Sequence, residues 1–265
     1  MQNINLDEIL SELEGSESNT TRFSEDWSQG RSAFGGLSAA FAVTAMRKKL
    51  AQAQTIRSLM VSFIAPIPAG EITAEAQLLR QGKNVTQCSA SVISEGQTGL
   101  QAMAVFGNSR EAYKPPSAPL QQLPEKTNGL AFSDRAKRLP HFLQYFDGYW
   151  MDGGMPFSGD YKPYLKLWAR HKQGLSRFPI EKIVMIADIP PPVLLSHFDQ
   201  PPVPASSLSW SLEFVEAPES VTGEWFYLEF VVDAAADGYT QQSGRIFDET
   251  GRLVALTRQC MVYFG

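Results

Sequence analysis

The chain has little cysteine and little histidine: 2 Cys and 3 His in 265 residues. Cys88 and Cys260 both lie in alternating, strand-like runs, where a free thiol packs as a small hydrophobe, so two buried free thiols are expected. His141, His171 and His197 share no ligand spacing, and no metal site or other cofactor is expected. The net charge is −5 and basic residues form no run, which excludes nucleic-acid binding through a broad positive face. An anionic small molecule is still open to such a chain, because a few local Lys or Arg side chains can hold one. No apolar run approaches the roughly 18 residues of a membrane span. The N-terminus, Met1 to Glu8, lacks the basic-then-apolar plan of a signal peptide, so a cytoplasmic protein is the expectation.

What is present is more pointed. At Arg31-Ser-Ala-Phe-Gly-Gly-Leu-Ser-Ala-Ala-Phe-Ala-Val-Thr-Ala-Met46 a small, apolar helix begins abruptly at Gly35-Gly36. Glycine permits a sharp turn and a close approach, and a helix start leaves N–H groups unpaired. Such a tip can polarise a carbonyl or hold an anion. The helix is expected over about Phe34–Leu50, and being apolar nearly all round it reads as buried. Before it, Asn5 and Glu8 form a capping box for a short helix over 5–14, with Leu6, Ile9, Leu10 and Leu13 on one face. After it, Ile56–Phe63, Glu71–Arg80, Val85–Ser94 and Leu100–Phe106 read as antiparallel strands, with turns at Gln81–Asn84 and Glu95–Gly99.

Residues 114–128, rich in proline and then polar, read as a linker between a first unit, 1–113, and a second, 129–265. The second unit repeats the plan. Phe142–Trp150 and Tyr164–Trp168 are strand candidates, Ile180–Asp188 is helical until Pro190-Pro-Pro192, and strands follow near Ser207–Phe214, Glu224–Ala234, Tyr239–Phe247 and Leu253–Phe264. The closing hairpins of the two halves, Val92–Met103 and Ile246–Thr257, align in order, spacing and turn chemistry, as an internal duplication requires. Trp225, Phe226, Tyr227 and Phe230 read as sheet core.

One buried helix wrapped by a curved antiparallel sheet, present twice, resembles the α+β double hot-dog fold. The motifs Phe34-Gly-Gly-Leu-Ser-Ala-Ala-Phe41, Arg80-Gln-Gly-Lys83, Trp168-Ala-Arg170, Ala187-Asp-Ile-Pro-Pro191 and Leu253-Val-Ala-Leu-Thr-Arg-Gln259 together resemble the type II acyl-CoA thioesterases and their thioesterase-like relatives. The resemblance implies hydrolysis of an acyl-CoA to free acid and coenzyme A and a role in lipid metabolism; exposed sheet edges of such units often lead to homo-oligomers, and the sequence leaves the oligomeric state open. It implies a water oriented by a carboxylate and polar partners, with N–H groups at a helix start holding the oxyanion.

Gln259 matches the family's glutamine on the last strand. Alternation puts it on one face with Ala255 and Thr257, and the first unit has Phe106 in its place, so a polar site is expected in one half only. At the position taken for the family's aspartate, the chain reads Ala205-Ser-Ser-Leu-Ser-Trp-Ser211 and carries no acid; Ser207 stands there, with Ser206 and Ser209 beside it. Asp188 is the nearest carboxylate. It can serve as general base if burial raises its pKa, or it can simply accept backbone hydrogen bonds. Gly36 is the expected oxyanion donor and Gly35 permits the approach. Phe34, Gly35, Arg80 and Lys83 are expected to touch substrate, the two cations through coenzyme A phosphates. Trp168 is expected to pack and Arg170 to pair with an acid. Gln259→Ala is expected to slow turnover without moving Tm, and Gly36→Val to harm activity more than folding. The alternative function is a non-catalytic acyl-CoA or acyl-carrier binder that kept the fold without the acid.

Overall fold

Asn5 opens the chain's first helix, α1 (Leu6–Gly15), by accepting from the Asp7 N–H at 3.0 Å while the Glu8 carboxylate accepts from the Asn5 N–H at 3.1 Å. This is the capping box that the sequence predicts. The computed structural model describes residues 5–113, 115 and 118–264, apart from the side chains of 136–138; Met1–Ile4 of the N-terminal reading, Lys114, Pro116 and Ser117 of the linker, and Gly265 lie outside the described residues. The first unit continues with β1 (Thr20–Phe23), β2 (Ser28–Gln29), β3 (Ser32–Ala33), α2 (Gly35–Arg47), β4 (Thr55–Phe63), β5 (Gly70–Gln81), β6 (Val85–Ser94) and β7 (Gln97–Gly107). The second holds β8 (Leu130–Ala131), β9 (Phe146–Gly153), β10 (Tyr164–His171), α3 (Pro179–Ala187), β11 (Ala205–Phe214), β12 (Phe226–Ala236), β13 (Tyr239–Asp248) and β14 (Leu253–Tyr263).

Among the described residues, one antiparallel sheet runs through both units in the order β1-β5-β6-β7-β4-β11-β14-β13-β12-β10-β9-β8. The order is symmetric about the β4–β11 junction, where the two strands pair: β7, β6, β5 on one side answer β14, β13, β12 on the other. Val61 faces Trp210 and Leu59 faces Leu212 across the junction, so each unit closes the other's open edge. This is the double hot-dog architecture. The β6–β7 turn is tighter than the sequence suggested. Glu95 and Gly96 both take positive φ, 50° and 77°, and form a two-residue hairpin that leaves Thr98 and Gly99 inside β7.

The segment 142–145 is a 3-10 turn rather than the expected strand. Its geometry lets Phe142 stack on Phe34 at 4.0 Å and Tyr145 on Trp27 at 3.9 Å, two aromatic contacts that extended backbone would point to opposite sides.

Helices α2 and α3 lie side by side and antiparallel on the concave face. At one end Gly36 abuts the backbone of Met185; at the other, Glu181 accepts from Thr44 at 3.0 Å and from Arg47 at 2.9 Å. Both helices are buried almost throughout, as the apolar run of α2 requires. On the convex face Trp168, Tyr227 and Phe247 form a separate cluster beneath Leu123 and Trp225, and the Trp168 indole donates to the Pro124 carbonyl at 3.1 Å. Phe226, Leu228 and Phe230 alternate with these into the main core. Arg170 pairs with Asp147 at 2.9 Å. Cys88 is buried, whereas Cys260 is only half-buried on the convex face, because β14 turns that side outward. No helix among the described residues is long and apolar enough to cross a membrane.

Candidate active site

Two glycines and a helix end create the site. Gly35 and Gly36 form the first turn of α2, and antiparallel packing sets that turn against the C-terminal end of α3, where Asp188 is the capping residue. A methyl group on Gly35 would lie 2.6 Å from Asp188 Oδ2 and 3.1 Å from the Phe63 ring. Only glycine admits the carboxylate at this distance.

Asp188 Oδ1 accepts from Gln259 Nε2 at 2.7 Å. The backbone N–H of Gly36 is directed at the same carboxyl group. Burial pushes the Asp188 pKa up to about 7, against the pull of Gln259 and the Gly36 N–H, both of which favour the carboxylate. No charged side chain contributes to the shift; the neighbours are Gly35, Gly36, Met185, Phe63 and Gln259. The group keeps a partly accessible face. The result is a carboxylate poised near neutrality, held on one oxygen by a neutral amide.

Gln259 is itself held. Its Oε1 accepts from Gln242 Nε2 at 3.1 Å, and Gln242 Oε1 accepts from the Val193 N–H at 3.0 Å. Gln242 and Gln259 face each other across β13 and β14, 1% and 3% exposed. The Val193 backbone donor fixes the orientation of the whole chain of amides. In the first unit, Thr86 and Phe106 face each other in the matching positions. No polar relay can form there.

Ser207 reaches the inner face through a β-bulge. Trp210 is opposite Gln259, and the register then shifts so that Ser207, not Ser206 or Leu208, lies opposite Met261. Cross-strand partners share a face, so Ser207 joins Gln259 and Met261 on the concave side while Ser209 points outward with Cys260. Among the described residues, the Ser207 side chain makes no hydrogen bond, and none joins it to Asp188.

The structure therefore brings Asp188, Gln259, Gly35 and Gly36 into one cluster, with Ser207 on the same sheet face. Three expectations change. The Gly36 N–H is not a bare tip, because it is directed at Asp188, the acceptor that the C-terminal end of α3 supplies. Gly36→Val would drive a side chain onto the Met185 backbone 3.0 Å away, so folding suffers along with activity. Gln259→Ala would strip the buried Gln242 amide of its acceptor, so Tm moves too.

Phe34 is wholly buried and stacked on Phe142, so it supports the glycine turn from within the core. Arg80 and Lys83 are exposed around the β5–β6 tip. Val85 next to that tip faces Gly107, which faces Thr55, so the tip lies at the opposite end of β4 from Phe63. At about 3.3 Å per residue the strand separates them by roughly 25 Å. The two cations are not part of the cluster.

Gln242 escaped the sequence reading. Its inward alternation with Thr240, Gly244 and Ile246 was the available signal. A cavity of about 550 Å³ lies elsewhere, between Phe132, Pro140 and His141 on one side and the Asp147, Tyr149, Arg170 and Trp225 side chains on the other. Chemistry, not cavity size, marks the Asp188 cluster as the site.

Comparison with known proteins gives the family and the fold. A family model described as the acyl-CoA thioesterase N-terminal domain matches residues 23–107, and one described as the acyl-CoA thioesterase C-terminal domain matches residues 115–263. No curated protein matches. Among solved structures, a hot-dog-fold protein of unknown function from Alicyclobacillus acidocaldarius is 19% identical, with 93% of this chain and 92% of that one covered at a TM-score of 0.81. The tesB protein of Mycobacterium avium subspecies paratuberculosis is 16% identical over 99% of this chain and 100% of its own, TM-score 0.74. The acyl-CoA thioesterase II of Mycobacterium marinum is 15% identical over 96% and 98%, TM-score 0.70. At these identities the structures speak for the fold.

Proposed function

This chain belongs to the acyl-CoA thioesterase family, whose N- and C-terminal domain models together match most of it, and from that premise we propose that it hydrolyses an acyl-CoA thioester through a water activated by Asp188. The observation that carries the reading is the Asp188 carboxyl, poised near neutral pH and fixed at 2.7 Å by Gln259 beside the α2 glycines. A base is most useful when its pKa lies near the working pH.

In the proposed reaction the Asp188 carboxylate, through its Oδ2 side, takes a proton from water as the water oxygen attacks the thioester carbonyl. The carbonyl oxygen gains the negative charge and is stabilised by N–H groups of the first turn of α2 other than that of Gly36, which faces Asp188. The tetrahedral species collapses, the C–S bond breaks, and coenzyme A leaves as a thiolate that receives the proton from Asp188. Water, acyl-CoA, acid and thiol balance with no redox partner. Gly35 leaves room for the carbonyl beside Asp188, and the Ser207 hydroxyl is the proposed second hydrogen-bonding group for the water. In this reading 1–113 and 129–265 are the two units, and only the second supplies the polar half of the site.

The test is release of free thiol from a panel of acyl-CoAs of different chain length, with binding measured in parallel. Thiol release that disappears in Asp188→Asn supports the proposal. Tight binding without release selects the non-catalytic acyl-CoA or acyl-carrier binder, which the lack of any acid between Ala205 and Leu212 favours.

A further inference from the structure

Gln242 touches neither Asp188 nor the glycine turn, yet it decides which face of the Gln259 amide Asp188 meets. An amide can present oxygen or NH₂ to a neighbour, and the two ends have nearly the same shape. Here the choice is forced. The Val193 N–H can only donate, so Gln242 must turn its Oε1 toward it, at 3.0 Å. That leaves Gln242 Nε2 to donate to Gln259 Oε1 at 3.1 Å, and Gln259 Nε2 to donate to Asp188 Oδ1 at 2.7 Å. Each link has one polarity, set by a backbone group two side chains away from the carboxylate. Gln242 is 1% exposed and Gln259 3%, so water does not compete for these bonds.

From this relay we infer that Gln242 is a positioning residue, which locks Gln259 with its NH₂ toward Asp188 and so holds Asp188 as the base rather than the acid. The inference rests on the proposed role of Asp188. Without the lock, the Gln259 amide is free to turn over and offer its oxygen, which accepts a hydrogen bond from protonated Asp188 and stabilises the inactive form. Asp188 already sits where burial favours protonation, and no charged side chain faces it, so the amide polarity has unusual weight. The matching pair in the first unit, Thr86 and Phe106, has no such amide, which is why one half of the molecule carries the relay.

Two variants separate positioning from mere packing. Gln242→Leu removes both links. Gln242→Met keeps side-chain length without adding a charge, and it neither accepts from the Val193 N–H nor donates to Gln259. Titration of Asp188 by ¹³C NMR of its carboxyl carbon needs no substrate. The expected result is an upward move of its midpoint by roughly half a unit or more in both variants, with kcat lowered about twofold or more at pH 7 and KM unchanged. Recovery of kcat at higher pH supports positioning, because a merely loosened fold would not be rescued that way. An unmoved midpoint in folded Gln242→Met overturns the inference. If the wild type releases no thiol from any acyl-CoA, the functional reading fails, while the carboxyl titration still decides the relay.

Discussion

Replacing Asp188 by Asn should stabilise the protein and abolish its activity, and the stabilisation should depend on pH in a defined direction. The Asp188 pKa is raised from 3.8 to about 7 in the folded state by burial. Folded protein therefore holds this proton between about pH 4 and 7 where the unfolded chain has released it. The contribution of the group to stability is complete below pH 4, is lost as pH rises through 7, and is flat above. A shift of this size is worth about 4 kcal/mol at 1.36 kcal/mol per pK unit, and the partial exposure of the residue reduces it to about 2–4 kcal/mol. Asn keeps an oxygen for Gln259 and cannot ionise. Urea unfolding of both proteins at intervals from pH 4 to 9 should show a gap that opens with rising pH and levels off near 8. Other titrating groups are common to the two proteins and cancel in the difference. A gap that stays constant across the range would refute the buried, raised carboxyl, whatever happens to the activity.

Further outcomes follow from the same contacts. Gly35→Ala places a carbon 2.6 Å from Asp188 Oδ2, so turnover should fall about tenfold or more in the thiol assay, the equivalent of about 1.4 kcal/mol, while the fold survives by a shift of the Asp188 side chain. Gln259→Ala should lower turnover by a similar factor and also cost about 1–3 kcal/mol in urea unfolding, because the Gln242 amide is left buried without its acceptor. His171 is buried against Phe146 with its pKa pushed down from 6.5 to about 4 by burial, so wild-type stability should fall by up to about 3 kcal/mol as pH drops through that interval. In His171→Gln the fall should shrink, and an unchanged acid profile there would remove His171 as its source.

Much of the fold was legible because local rules and tertiary packing agree. The Asn5 and Glu8 box, the apolar run of α2 and the alternation of Ala255, Thr257 and Gln259 each point to the structure that forms. The strand predicted at Phe142 failed because Phe142 and Tyr145 serve partners, Phe34 and Trp27, more than a hundred residues away. The site was legible in part. Gln259 and Asp188 could be named as candidates, since one stood where the first unit has Phe and the other ended a helix. Their hydrogen bond depends on where the end of α3 lies over β14, which no local pattern encodes. The bulge that turns Ser207 inward and the backbone donor behind Gln242 are likewise properties of register and loop placement.

The most direct measurement is the pH dependence of kcat/KM for thiol release from a well-used acyl-CoA. With Asp188 as the base, the rate should climb tenfold per pH unit on the acid side and level off through an apparent pKa of about 7, and Asp188→Asn should erase both rate and limb. A rate that is flat from pH 5 to 9, or one that Asp188→Asn leaves intact, would contradict it.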